Sequence, residues 1–322
     1  CALPISMATI GRISLPELSR RGYPSELSMG ALTSAGTLGI MIPPSITFIV
    51  YGVSAEVSIA RLFAAGIIPG LVLMALFMGY LMVWAIMNPD RMPVAEPRTS
   101  FVEKLRSSRH LIPIVALIAL VIGSIYTGIA TPTESAALGV AGALILSALS
   151  GTLTWQSFVE SIREAVRTSC MIAFIIMGSM FLSAAVDFTG LPHEIAKFIE
   201  SFSLSAYGLL FALTILFAIL GCFLDGVSIV VLASSLLLPT VQAAGIDLIW
   251  FGVFMVLMVE MSMVTPPVGL NLFIMQMMSG RDLGFVSRAA LPFFVIMVGF
   301  VALLVAFPQM ATHLPQILFR AP

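Results

Sequence analysis

Charge is scarce in this sequence. Lysine, arginine, aspartate and glutamate make up 10% of 322 residues and balance to a net charge of −1. No basic face exists for a nucleic acid to bind, and too few charged groups are present to keep a soluble domain of this size in water. Cysteine is rarer still. Cys1, Cys170 and Cys222 follow no spacing pattern, and two lie inside apolar runs, which excludes a disulfide framework and a thiolate metal cluster. Only three histidines occur. His193-Glu194 has no second histidine at zinc-motif spacing, and His110 and His313 flank apolar runs as interfacial residues do. Walker loops, nucleophile elbows and Cys/His clusters are missing too, so neither ATP-driven pumping nor enzymatic hydrolysis has its residues and no organic cofactor is expected.

Apolar residues fill the space left over. They form 59% of the chain, and mean hydropathy is +1.09. They come in runs of roughly 20, long enough to cross a hydrocarbon core about 30 Å thick. Polar text punctuates them. Residues 1–15 read as one arm of a re-entrant hairpin closed at Pro16-Glu17, and 27–53 as a span broken at Pro43-Pro44. A span over 62–87 leads to the main polar loop, 88–110. Spans over 111–130 and 136–150 flank Thr131-Pro132-Thr133-Glu134-Ser135, where Thr131 and Glu134 fit a capping box. Residues 152–168 set Trp155, Phe158, Val159, Ile162 and Val166 against Glu160, Arg163, Glu164 and Arg167, a pattern suited to a helix in the interface plane. A span over 169–186 and a second amphipathic stretch, 192–203, follow. The run 204–239 is interrupted at Asp225-Gly226, as a hairpin would be; 248–279 is broken at Pro266-Pro267, and 290–308 is the last span. The sequence opens at Cys1 inside an element too short to span, as expected of a chain whose natural start lies upstream.

One interval organises these elements. Pro16 answers Pro239, Gly22 answers Gly245, Pro43-Pro44 answer Pro266-Pro267, and Pro69 answers Pro292, always 223 residues apart. The chain therefore reads as two copies of one unit, each with a membrane helix broken near its middle. Interrupted segments at matching places in two repeats are the sequence signature of a secondary transporter and its binding site. Five expected spans separate the two hairpins; an odd number inverts one copy relative to the other. Loops 16–26, 88–110, 151–168 and 280–289 hold 11 Lys/Arg against 3 on the opposite side, which assigns the first set to the cytoplasm.

The breaks carry the chemistry. Proline lacks an N–H and its ring displaces the carbonyl four residues back, so Gly39, Ile40, Ser262 and Met263 have carbonyls freed at membrane depth. Those oxygens suit a hard cation. The half-helices that begin at Ser45 and Val268 present free N–H groups suited to a carboxylate, with Pro44, Thr47, Pro267 and Asn271 as candidate substrate contacts. The bland alternative is a proline kink, and a matched pair of double prolines weighs against it. Asp225, at the presumed tip of the second hairpin, fits both an N-cap and a site residue. Glu260 is either a hydrogen-bonded acid facing the bundle or a substrate or ion contact. Gly36, Thr37 and Gly39 permit close backbone approach, although helix packing is the commoner use of small residues.

Several stretches carry a resemblance. Ala8-Thr9-Ile10-Gly11-Arg12, Glu17 to Tyr23, Ser34 to Ser45, Ser58 to Gly70, Gly128 to Glu134, Gly221-Cys222-Phe223-Leu224-Asp225 and Thr265 to Asn271 resemble the large membrane subunit of tripartite ATP-independent periplasmic (TRAP) transporters. The resemblance runs the length of the chain. It implies an all-α membrane protein of inverted repeats with re-entrant hairpins and broken helices, in which a transport domain moves as an elevator against a scaffold. It implies Na⁺ as coupling ion, a bacterial inner-membrane location, and as partners a small four-helix membrane subunit and a periplasmic binding protein that delivers a small organic anion such as a C4-dicarboxylate, a 2-oxo acid or a sugar acid. Carried onto this chain, the first Na⁺ site falls at Gly36, Gly39, Pro43 and Ser45, and the second at Gly221, Asp225, Thr265, Pro266 and Gly269. The domains then run 1–57 and 204–279 for the two transport regions, 58–110 and 111–203 for scaffold and arm helices, and 280–322 for the last scaffold helix. A stand-alone symporter or antiporter of the same superfamily is the near alternative; a channel or a non-transporting membrane scaffold is the distant one.

Overall fold

The computed structural model describes residues 2–93, 111–188, 206–221, 224–265 and 269–319. All the regular structure among them is helical: α1 (Ala2–Arg20), α2 (Ser25–Met41), α3 (Ile46–Ser54), α4 (Ile59–Met87), α5 (Ile112–Tyr126), α6 (Pro132–Leu149), α7 (Trp155–Phe188), α8 (Ala206–Leu220), α9 (Gly226–Ala243), α10 (Leu248–Val264), α11 (Leu270–Ser279), α12 (Leu283–Ala306) and α13 (Gln309–Leu318), with a 3-10 turn at Pro89–Arg91. Among the described residues, three unbroken helices, α4, α6 and α12, are long and apolar enough to cross a membrane, and two bent candidates join them, α2 with α3 (43°) and the two parts of α9.

The 223-residue interval holds element by element. The ends of α2 at 25 and 41 map onto those of α10 at 248 and 264, while α1, α3 and α4 find their counterparts in α9, α11 and α12. Pro16 and Pro239 lie inside α1 and α9, Pro69 and Pro292 inside α4 and α12. Gly22 and Gly245 both take a positive φ, +81° and +71°, at the turn that ends the first element of each copy. That left-handed conformation is open to glycine without steric cost, which explains the match. Packing obeys the same rule. Helix α1 lies on α11 and α9 on α3; α2 lies on α12 and α10 on α4. Each of these contacts between the copies has its reciprocal, as in an isologous pairing.

Two compact units emerge, residues 1–93 with 171–322, and residues 94–170. In the first, α10 is the core: every residue from Ile249 to Val264 is buried. Apart from Glu260 and Ser262 its sequence is apolar all round, as suits a helix enclosed on every side, and it touches α2, α3, α4, α8, α9, α11, α12 and α13. In the second unit α5 pairs with α6. Helix α6 starts on the expected capping box: the Thr131 hydroxyl accepts from the Glu134 N–H at 3.3 Å, and the Glu134 carboxylate accepts from the Thr131 N–H at 2.8 Å. The Ser124 and Ser135 hydroxyls join the pair at 2.8 Å.

Four sequence expectations need correction. Helix α1 does not stop at Pro16 but runs on to Arg20. Proline removes one hydrogen bond, and here the freed carbonyl belongs to Arg12 near an exposed end, where Glu17 bonding to Arg20 and Arg21, each at 2.6 Å, holds the last turn. Residues 152–168 and 169–186 are not two elements; α7 passes through both as one 34-residue helix, because Thr168-Ser169-Cys170-Met171 contains no glycine or proline to end it. The turn expected at 131–135 is already the first turn of α6, since Pro132 is favoured at the first helical position. The last span does not close the chain: α12 begins at Leu283, and α13 returns to pack on α4. The amphipathic stretch 192–203, most of the main polar loop, Cys222, and Pro266-Pro267-Val268 lie outside the described residues.

Candidate functional site

The first break occupies residues 42–45. Helix α2 ends at Met41, and the Ile42 N–H still donates to the Leu38 carbonyl at 3.1 Å. A cis bond joins Pro43 to Pro44. Ser45 caps α3, its hydroxyl accepting from the Phe48 N–H at 3.5 Å. Pro43, Ser45 and Thr47 are buried, whereas Pro44 and Gly39 are exposed. The second break starts at Thr265, whose hydroxyl donates to the Met261 carbonyl at 2.7 Å and whose carbonyl accepts from the Gly269 N–H at 2.9 Å. Helix α10 thus ends at Val264, and Thr265 is tied by hydrogen bonds both to its last turn and to Gly269 at the start of α11.

The structure brings several expected residues together. A Cβ at Gly221 would stand 2.0 Å from the Ser262 Cβ, so the end of α8 abuts the last turn of α10. Beyond the tip, the Asp225 carboxylate accepts from the Val227 N–H at 3.2 Å as the N-cap of α9, and from the Ser228 hydroxyl. A Cβ at Gly36 would lie 3.5 Å from the Asn271 amide nitrogen, which donates to the Thr33 carbonyl at 3.2 Å. That bond ties the half-helix after the second break to the helix before the first. Gly39, by contrast, has nothing within 4 Å of where a Cβ would stand, and no contact places it against Ser45. Pro266 and Pro267 lie outside the described residues.

Several buried polar atoms on the helices next to the breaks have no hydrogen-bond partner. They belong to the Ser34, Thr47 and Ser234 hydroxyls and the carbonyl oxygen of Asn271, and the Glu260 carboxyl oxygens have at most a weak contact with the Met41 backbone; all are buried. Their helices α2, α3, α9, α10 and α11 are the ones that pack around the two breaks. The Met41 backbone at the end of α2 faces Glu260. Buried polar groups left unmatched cost about 1–3 kcal/mol each, so each of these atoms calls for a polar partner. Oxygen donors dominate the set, which fits a hard cation such as Na⁺ better than a soft metal.

Sequence reasoning missed four contributors. The Tyr51 hydroxyl, in α3, donates to the Leu248 carbonyl of α10 at 2.8 Å. Thr33 supplies the carbonyl that holds Asn271. On α4, Gly66 and Gly70 let the helix close on the first break: a Cβ at Gly66 would come within 2.6–2.8 Å of the Phe48 ring and the Met41 carbonyl, and one at Gly70 within 2.8 Å of Ile42. The small-xxx-small spacing Gly66-Ile67-Ile68-Pro69-Gly70 is a signal for such contact, masked by its place inside a long span.

Two copies of a helical unit, each interrupted mid-helix and hydrogen-bonded to each other, define an integral membrane protein of the permease kind. Residues 5–310 match the family described as tripartite ATP-independent periplasmic transporter, DctM component. The chain is 33% identical to the C4-dicarboxylate TRAP transporter large permease protein of Pseudomonas aeruginosa, over 97% of this chain and 73% of that protein. It is 31% identical to the ectoine/5-hydroxyectoine TRAP transporter large permease protein of Ruegeria pomeroyi, over 98% of this chain and 73% of the other. It is also 31% identical to the isethionate TRAP transporter permease protein DctMQ of Oleidesulfovibrio alaskensis, over 98% of this chain and 48% of that one. The chain belongs to the DctM family and is a TRAP transporter large permease subunit.

Proposed function

We propose that this subunit couples the inward movement of Na⁺ to uptake of a small organic anion across the bacterial inner membrane, with the two helix breaks forming the ion and substrate sites. The observation that carries the reading is the tie between the breaks. Asn271 reaches Thr33 across the two copies, amid buried oxygens that lack partners. One Na⁺ sits at each break: Gly36, Gly39, Pro43 and Ser45 hold the first, and Gly221, Asp225, Thr265, Pro266 and Gly269 the second. The substrate carboxylate meets the free N–H ends of α3 and α11 near Pro44, Thr47, Pro267 and Asn271, where a helix N-terminus favours an anion.

Energetics support the coupling. An inside-negative potential of 100 mV contributes about 2.3 kcal/mol for each net positive charge carried inward. More Na⁺ charges than substrate charges per cycle therefore drive uptake without ATP. The copies lie inverted in the membrane, and the breaks move together as an elevator between its faces. A periplasmic binding protein and a small membrane subunit complete the transporter. In support, the isethionate relative named DctMQ is about twice as long as the stretch this chain covers. The relatives are named for C4-dicarboxylates, isethionate and ectoines, so we assign the class, a small solute with an anionic group such as a C4-dicarboxylate, 2-oxo acid or sugar acid, and place fine selectivity in the soluble partner.

The test is uptake into liposomes holding both membrane subunits, with the binding protein and labelled substrate outside and an imposed Na⁺ gradient. Uptake that needs inward Na⁺, rises with inside-negative potential and is abolished by collapse of the gradient supports the reading. Equal uptake with K⁺ in place of Na⁺ overturns it.

A further inference from the structure

Away from the breaks, one cavity has the chemistry of a binding site. A cleft of about 280 Å³ lies between the turn joining α1 to α2 and the turn joining α11 to α12. Hydroxyls of Ser19, Tyr23, Ser25, Ser28 and Ser279 line it, and Arg281 is the charged side chain among its lining residues. Leu15 and Met29 contribute an apolar wall.

Independent features point to an anionic occupant. Helix α2, 17 residues long, begins at this cleft, and its N-cap, Pro24, offers no side chain to the first N–H groups. Ser28 is 6% exposed, lines the cleft, and spends its hydroxyl on no group of the protein. A hydroxyl on the wall of a cleft and without a protein partner is free to donate to whatever occupies it. The Arg281 guanidinium has no acidic partner among the described residues; it lies 5.3 Å over the Phe285 ring, and its backbone N–H donates to the Ser279 hydroxyl at 3.3 Å. Nearby acids are occupied or turned away. Glu17 is bonded by Arg21 and Arg20, which hold its carboxyl below the usual carboxylate range. The Asp282 carboxylate caps α12 through the Gly284 N–H at 2.9 Å, and Glu26 is exposed and outside the lining.

We propose that this cleft is a second anion site, distinct from the helix breaks, which binds a small oxyanion (a carboxylate or a phosphate). The Arg281 guanidinium pairs with its oxygens, and the Ser28 hydroxyl and the first N–H groups of α2 donate to it. Charge-assisted bonds from a planar guanidinium and a helix N-terminus are the strongest pairing the chain offers such a group. The apolar wall suits a short carbon skeleton or the glycerol end of a lipid.

The experiment uses the complete transporter, both membrane subunits together, in nanodiscs of phosphatidylcholine. Thermal unfolding is followed while inorganic phosphate, and separately succinate, is titrated at constant ionic strength. A saturable rise in Tm is expected, with affinity weakened about tenfold or more in Arg281→Gln and Ser28→Ala, a factor of ten being the loss of roughly 1.4 kcal/mol. Arg281→Lys should restore part of it, and Arg288→Gln, outside the cleft, should respond as the parent does. Loss of the phosphate response when phosphatidylglycerol is added identifies a lipid headgroup as the occupant; its persistence identifies a free anion. No saturable response in the parent, or equal responses in the parent and in both cleft variants, overturns the proposal.

Discussion

Asp225 holds two positions at once. Its carboxylate caps α9 through the Val227 N–H, and it stands at the tip expected to meet a cation. Substitution separates these roles, because asparagine caps a helix about as well as aspartate whereas alanine does not. Asp225→Asn should keep stability within about 0.5 kcal/mol of the parent in thermal unfolding yet raise the Na⁺ concentration for half-maximal uptake by an order of magnitude. Asp225→Ala should add a loss of about 1 kcal/mol. If Asn and parent share one Na⁺ dependence, the aspartate is a cap alone. Asn271 has a similar test. Asn271→Ala deletes its bond to the Thr33 carbonyl and should cost about 1 kcal/mol, with a larger fall in uptake, because the two breaks lose their tie. These cross-copy bonds could not be read from the sequence: the partners are 238 residues apart for Asn271 and 197 for Tyr51, and nothing local marks a carbonyl as an acceptor.

At the scale of elements, the breaks were legible because proline acts through its own covalent structure, whatever surrounds it. Double prolines end α2 at Met41 wherever the helix sits. Continuity was harder to read. Polar residues on one face of α7 look like an interfacial helix, but nothing in the backbone stops it before Phe188. Packing surfaces hid in the same way, as with the glycines of α4. Gly66→Ala drives a methyl into the Phe48 ring and the Met41 carbonyl, and should cost about 1–3 kcal/mol. Gly79→Ala on the same helix, with open space around it, should be neutral or slightly stabilising. Unfolding of the two variants in detergent compares them directly; equal Tm values would mean that α4 does not close on the break.

For the whole molecule, the repeat was visible in five proline and glycine positions, and the structure extends it to helix ends and packing partners. The proposed inversion of the copies in the bilayer has its own test. Ser19 and Gln242 are equivalent under the 223-residue interval and both exposed. On a background with the native cysteines replaced, an impermeant maleimide added outside right-side-out vesicles should label Gln242→Cys and spare Ser19→Cys. Labelling of both from one side would mean that the copies run parallel.

Helix α10 has a consequence for how the protein is made. It is enclosed along its whole length by neighbours from both copies, and α2 and α4 lean on it from the first. A nascent chain that has emerged only as far as residue 247 holds the earlier copy with its central pillar still inside the ribosome. Until translation supplies that pillar, α2 and α4 have only lipid or an insertase to lean on, so biogenesis of the first half waits for the second.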